Sequence, residues 1–213
     1  MDRPEKLAVV NIIRGPVVIA TGLIMGNKMT DTDTLNRDRI TLRALDKGDL
    51  HRFRAIRLSA LQLAPQAFGS SFEEENAYSD SVFARRLEQV NGNVIFGAFD
   101  GENLLGIAGH HRHERKSERH RGTLVSVYVT PEARGFNLGK ALVQEVIEHA
   151  AAHVVILDAK VVASNEPAKR IYHALGFKTY GVEVKSLFVQ GQYLDQELLY
   201  IDFSDPAWNL VLG

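Results

Sequence analysis

The chain contains no cysteine. That absence excludes a disulfide framework, a thiolate metal site and a cysteine nucleophile, and it fits a reducing compartment, so a cytoplasmic location is the expectation. Proline is scarce, at 6 in 213 residues, and no internal repeat or low-complexity linker divides the sequence. Net charge is also nearly absent: 25 basic side chains face 26 acidic ones, a formal charge of -1. Such a balance offers no global attraction to nucleic acid or to an anionic membrane, so neither partner is expected and any anion site must be local. An uninterrupted apolar run is missing as well. The most apolar segment, LAVVNIIRGPVVIATGLIM, is broken by Asn11, Arg14 and Pro16, whereas a membrane span needs about 20 consecutive apolar residues. It is equally poor as a signal peptide, because Asp2 and Glu5 offset Arg3 and Lys6 and no small-x-small cleavage site follows.

What is present is ordinary for a folded protein: 45% hydrophobic and 24% charged residues, close to the averages for soluble globular chains. The length suits one large domain, or one domain with an appendage. The shift in composition puts a boundary near residue 36. Residues 1–36 read as an N-terminal extension, either an added strand pair turning near Arg14-Gly15-Pro16 or translated sequence upstream of a start at Met29. Residues 37–213 read as the main domain.

Within that domain the hydrophobic pattern alternates between two periods. RITLRAL, 39–45, reads as a strand, and Asp46 caps a helix running to about Leu63 whose face carries Leu50, Phe53, Ile56, Arg57, Ala60 and Leu61. Pro65 ends it. A loop with one or two short helices follows, Ser79 or Asp80 capping the second. Asp100-Gly101 sits between two apolar stretches and predicts a hairpin. TLVSVYVT is the next strand, and Leu138, Leu142, Val146 and Ala150 recur every fourth residue in a helix over about 135–152. After the strand VVILDAKVV, Asn165 caps a short helix with Pro167 in its first turn. EVKSLFVQ and YLDQELLYIDF, turning at Gly191, close the chain as paired strands. This order implies a mixed α/β sheet covered by helices, whose ligands collect where a strand ends and a helix begins.

ARGFNLGKAL, 133–142, occupies such a junction. Unsatisfied amides at a helix N-terminus point outward, the helix dipole adds positive potential, and Gly135 and Gly139 let a phosphate approach the backbone. Arg134 and Lys140 add mobile positive charge. The spacing excludes two nucleotide motifs: for a P-loop the glycines are one residue too close and Ala141 replaces the hydroxyl, while Asn137 stands where a dinucleotide fingerprint needs glycine.

VSVYVTPEARGFNLGKALVQEVI and ASNEPAKRIYHALGF together resemble the two signature regions of the GNAT superfamily of N-acetyltransferases, with Asn165, Ala168, Tyr172, Gly176 and Phe177 falling on the second. The resemblance covers about 40–203. It implies a mixed, largely antiparallel sheet flanked by helices, and acetyl-coenzyme A as cosubstrate. By resemblance the strand residues Val127, Tyr128 and Val129 hold the pantetheine arm, and the turn Arg134, Gly135, Phe136, Asn137, Leu138, Gly139 and Lys140 holds the diphosphate, with Asn165 and Tyr172 completing the cofactor contacts. Tyr172 is then the proton donor to the departing thiolate. Asn137 departs from the family pattern, and asparagine is the least costly replacement for a left-handed glycine.

The resemblance implies an N-acetyltransferase acting by direct attack of a primary amine, on a small molecule or an exposed protein amine, without metal. Its rival is a non-catalytic acyl-coenzyme A-binding regulatory domain. No carboxylate lies on TLVSVYVT, where many members place a glutamate; Thr123 and Ser126 are its polar residues. Glu73, Glu74 and Glu75 in the preceding loop, His110 and His111 on the preceding strand, or a water chain remain as bases, with Glu74 the candidate catalytic carboxylate. The run HHRHERKSERHR, 110–121, lacks cysteine and interleaved aromatics and reads as a solvated hairpin loop. The acceptor is not named by the sequence, and terminal strands such as 193–203 could pair between two subunits in a homodimer.

Overall fold

A computed structural model describes residues 39–210 of the chain; the expected extension over 1–36 lies outside them. In chain order the elements are β1 (Ile40–Ala44), α1 (Leu50–Leu63), α2 (Phe72–Asn76), α3 (Asp80–Arg86), β2 (Val94–Asp100), β3 (Asn103–Arg112), β4 (Arg121–Val129), α4 (Leu138–Ala151), β5 (Ile156–Val162), α5 (Glu166–Ala174), β6 (Lys178–Val189) and β7 (Gln192–Asp202). All seven strands join one sheet in the order β1-β2-β3-β4-β5-β7-β6. Every neighbouring pair is antiparallel except β4 and β5, which run parallel. The mixed, mainly antiparallel sheet expected from the sequence is therefore present.

Helices cover both faces. On one face α4 buries Leu138, Leu142, Val143, Val146, Ile147 and Ala150 against Leu124, Leu157, Ala159, Leu199 and Ile201. On the other, Phe53, Ile56, Ala60 and Leu61 of α1 pack with Phe83 of α3 over Ile95, Phe99 and Ile107. Each fully buried Leu, Ile, Val or Phe contributes about 1.5–3 kcal/mol of burial, so the two apolar faces fix the sheet between its helices. Asp46 caps as expected, although it opens a short 3-10 turn, Lys47–Asp49, before α1 begins. Ser71 and Glu74 form a capping box on α2 that had not been anticipated.

Two irregularities interrupt the sheet around β4. First, β4 and β5 pair over three residues only, Arg121↔Ile156 to Thr123↔Asp158. Beyond this, β4 stays with β3 and β5 stays with β7, so the two strands part. Second, β4 carries an extra residue: Gly109↔Val125 and Ile107↔Tyr128 set three steps on β4 against two on β3, and Ser126 has φ 58°. Such a bulge shifts the inward-outward phase of a strand. Leu124 packs on the α4 side, and after the bulge Val127 and Val129 do so, three and five residues later.

The helix expected from about Gly135 starts at Leu138 instead. Gly135 at φ 86° and Asn137 at φ 61° are left-handed, a conformation that cannot continue a right-handed helix. β6 is longer than the expected 183–190 and holds its own irregularity between Glu183 and Leu187.

Candidate active site

Where β4 and β5 part, a cavity of about 540 Å³ opens, and Val127, Asn165 and Tyr172 all line it. Asn165 Oδ1 accepts a hydrogen bond from the Ala168 N–H at 3.2 Å, which fixes the start of α5 and presents Tyr172 two turns further on. Tyr172 is 6% exposed and its ring centroid lies 5.5 Å from that of Phe177. Burial pushes its phenol up from the ordinary value, so the hydroxyl keeps its proton at neutral pH. Tyr128 turns the other way, into the α1 side of the sheet; only its backbone belongs to the β4 edge.

The turn after β4 is built to leave backbone donors exposed. The first bond of α4 runs from the Ala141 N–H to the Asn137 carbonyl, so the amides of Leu138, Gly139 and Lys140 have no partner within the helix. The side chain of the N-cap residue, Asn137, makes no capping hydrogen bond to them. A Cβ added at Gly135 would meet nothing within 4 Å, and one at Gly139 would meet only Ile171 and Val129, both at 3.7 Å. Leu138 anchors the turn in the core and Phe136 packs against it. Arg134 Nε donates to the Val129 carbonyl at 3.4 Å, which leaves the guanidinium beside the end of β4, and Lys140 is exposed.

The family model of the GNAT acetyltransferases matches residues 58–177. The chain belongs to that family. Two relatives are similar along most of their length. The N-alpha-acetyltransferase RimI of Mycobacterium tuberculosis is 25% identical over 178 residues, covering 82% of this chain and 99% of RimI. The spermidine N(1)-acetyltransferase of Vibrio cholerae is 25% identical over 171 residues, covering 76% of this chain and 92% of that enzyme. Among solved structures, a GNAT phosphinothricin acetyltransferase of Sinorhizobium meliloti in complex with acetyl-coenzyme A superposes with a TM-score of 0.66 at 24% identity, covering 77% and 88% of the two chains. As a GNAT acetyltransferase the chain is an acyltransferase that uses acetyl-coenzyme A. The parted strands and the uncapped start of α4 fit a long phosphorylated thioester: there is an open edge for an arm and open space beside backbone donors for an anion.

In α2 the three glutamates separate. Glu74 Oε2 accepts from the Ser71 N–H at 2.8 Å, and with Glu73 it lines a second groove, of about 810 Å³, rather than the cavity that holds Tyr172. The two openings share Phe68, Gly69, Ser186 and Leu187. Glu75 is 1% exposed and accepts from Arg57 Nη2 at 2.6 Å, Ser70 Oγ at 2.6 Å and Arg86 Nη1 at 2.7 Å. Burial alone would push the Glu75 carboxyl up; these hydrogen bonds outweigh it and hold it down at about 2. A carboxylate so held takes up no proton at neutral pH. The Glu75 cluster instead fixes Arg57, whose side chain borders the cavity.

The histidine run is only partly the solvated loop expected. Residues 114–120 are largely exposed, but β3 continues to Arg112 and His110 on it is buried. Its Nδ1 meets the Gly92 carbonyl at 2.7 Å, away from the cavity. Among the described residues, no three metal-ligating side chains converge, and no helix is long and apolar enough to cross a membrane.

Four polar residues that the sequence did not single out also line the cavity: Lys160, Glu183, Ser186 and Gln196. Lys160 was legible in principle, as a charge inside the apolar strand ILDAKVV. Glu183 and Ser186 reach the cavity through the irregularity in β6, which left no signal in the sequence.

Proposed function

We propose that the enzyme acetylates a primary amine by direct attack, with the cosubstrate's phosphates at the 134–140 turn and the reacting groups beside Tyr172. The observation that carries this reading is the cavity at the β4–β5 parting, which joins Val127 and Asn165 to a buried, protonated Tyr172. Both named relatives act on amines by their names, the one on α-amines and the other on spermidine.

Acetyl-coenzyme A supplies an activated acyl group as a thioester. In this reading the amides of Leu138, Gly139 and Lys140 hold its diphosphate with help from Arg134 and Lys140, Gly135 and Asn137 give the turn its left-handed shape, Phe136 anchors it, and the β4 edge at Val127, Tyr128 and Val129 pairs with the arm. A Val127 amide at the bulge faces the acyl oxygen, as backbone donors do in other acyl transfers. The amine must arrive or become neutral, because amines of lysine type have a pKa near 10.4. Its nitrogen–carbon bond forms, the carbon–sulfur bond breaks, and Tyr172 gives its proton to the sulfur. Counted from the ammonium, the amine loses two protons: one goes to solvent before attack, and the other restores Tyr172 after it. Glu74, the expected catalytic carboxylate, lines the adjoining groove and not this cavity, so in this reading it is instead a contact for the distal part of an acceptor.

The test is an amine panel covering polyamines, amino sugars, amino acids and peptide N-termini, with thiol release and product mass as readouts. Thiol release tied to an acetylated amine is the expected result. Acetyl-coenzyme A binding without thiol release above background would instead favour a regulatory acyl-coenzyme A-binding domain.

A further inference from the structure

Glu183 and Lys160 form an ion pair inside the reaction cavity, with Lys160 Nζ 2.8 Å from Glu183 Oε2. The strands that carry them are not neighbours: β7 lies between β5 and β6. The pair therefore reaches across a strand, and its side chains are 54% and 45% exposed. Exposed pairs of this kind contribute little to stability, so the fold gains almost nothing from this contact.

The backbone nevertheless goes out of its way to place Glu183. Glu183↔Gln196 and Leu187↔Leu194 set four steps on β6 against two on β7. Within the bulge Lys185 is left-handed at φ 53°, and its N–H donates to Asp195 Oδ1 at 2.7 Å. A non-glycine residue adopts that conformation at a cost, and bulges next to active sites re-aim side chains. Here the bulge brings Glu183 and Ser186 to the same cavity. Ser186 Oγ lies 2.8 Å from Glu183 Oε2 and 2.8 Å from Gln196 Oε1, with Gln196 only 9% exposed. The carboxylate thus has a short, fixed neutral neighbour on one side and a flexible four-carbon ammonium chain on the other. Hydrogen bonds from Lys160 and then Ser186 hold it below the usual carboxylate range, so it is anionic at neutral pH.

We propose that Glu183 is the anchor for the acceptor's ammonium group, and that the ammonium of Lys160 occupies this anchor until an acceptor displaces it. The inference rests on the amine-acetylating reading above. A primary ammonium on a carboxylate, in one cavity with the proton donor, is what an amine acceptor entering this site would have to form, and Lys160 forms it internally. It also supplies, from β6, the carboxylate that β4 lacks.

The experiment uses the amine that the panel identifies, acetyl-coenzyme A at saturation, and the variants Glu183→Gln, Glu183→Asp, Lys160→Met and Glu183→Gln/Lys160→Met. Calorimetric binding of acetyl-coenzyme A reports that each variant is folded. Glu183→Gln should raise the acceptor KM about tenfold, the ratio that 1.4 kcal/mol represents, and Glu183→Asp should restore part of it. Lys160→Met should lower the acceptor KM by about threefold in the wild-type background and do nothing once Glu183 is gone, which is the coupling expected of two groups competing through one contact. The acetyl-coenzyme A affinity read by that calorimetry stays unchanged in all four. The inference is overturned if Glu183→Gln leaves the acceptor KM within about twofold of wild type, or if the Lys160→Met effect persists without Glu183. Failure of the wild type to release thiol with any amine removes the amine reading and this inference with it, whereas wild-type turnover with indifferent variants removes this inference alone.

Discussion

Arg121 on β4 donates two hydrogen bonds to Asp158 on β5, from Nε at 3.0 Å and from Nη2 at 2.5 Å, at the end where these strands still pair. The ladder between β4 and β5 is three residues long, Arg121 to Thr123. A bidentate charge-assisted pair is directional as well as strong, so it fixes the point from which the strands diverge. With side chains 34% and 15% exposed, its value is reduced by solvent screening. Asp158→Asn should lower the unfolding free energy by about 1–2 kcal/mol and weaken acetyl-coenzyme A binding by widening the junction. Urea unfolding and calorimetry check both; an unchanged midpoint would show that the ladder alone holds the strands.

Gly139 offers a cleaner test of the phosphate site. The nearest atoms to an added Cβ there are side-chain carbons at 3.7 Å, an ordinary contact, so Gly139→Ala should fold normally and retain binding. Gly139→Glu adds bulk and negative charge where the free amides of α4 point, and should abolish acetyl-coenzyme A binding while the melting temperature stays close to wild type. Unchanged affinity by calorimetry would remove the diphosphate from this turn.

These two sites differ in how plainly the sequence announced them. The glycines, the following four-residue apolar repeat of Leu138, Leu142, Val146 and Ala150, and the Asn165 cap are local signals, and local signals survive into the fold. The bulge at Ser126 left no trace because Leu124, Val125, Val127 and Val129 are all apolar, so a change of phase between them alters nothing in the pattern. Glu183 and Ser186 were hidden for another reason: the turn of backbone that aims them depends on Asp195, a partner on the next strand. His110 was obscured by its charged neighbours, although its place on β3 points it inward.

Tyr172→Phe separates chemistry from packing. The ring sits against Phe177 and would remain there, so folding and acetyl-coenzyme A affinity should be preserved. Loss of a general acid typically costs about 10²–10⁴ in rate, and a fall of that size in kcat with little change in either KM is expected. Full turnover with an unchanged pH profile would reduce Tyr172 to a packing residue.

His110 should make the protein's stability sensitive to mild acid. The ring is 1% exposed, its Nδ1 lies 2.7 Å from the Gly92 carbonyl oxygen, and His149 Nε2 lies 2.9 Å from the same oxygen. A carbonyl only accepts, so both nitrogens carry hydrogens, and His110 is left with a bare lone pair at Nε2. Among the described residues that atom has no hydrogen-bond partner, and Gly122 crowds it: a Cβ there would stand 2.1 Å away. A proton on Nε2 would therefore be a buried, unpaired cation. Burial first, and then the neighbouring His149, His153 and His111, push the imidazole down to about 4. Burial lowers His149 as well. In the unfolded chain a histidine titrates near 6.5, so between about 4 and 6.5 the unfolded state binds more protons and stability rises with pH. The contribution is complete above 6.5 and lost by 4, on the order of 3 kcal/mol across the whole window. Glu75 does not confuse the measurement, since its carboxylate, held at about 2, loses its contribution only below the unfolded carboxylate range. Urea unfolding should thus give a lower free energy at pH 5 than at pH 7, and His110→Gln should reduce that difference, with His149 keeping a remainder. Equal stability of the wild type at the two values would mean that the imidazole finds a partner for its second proton.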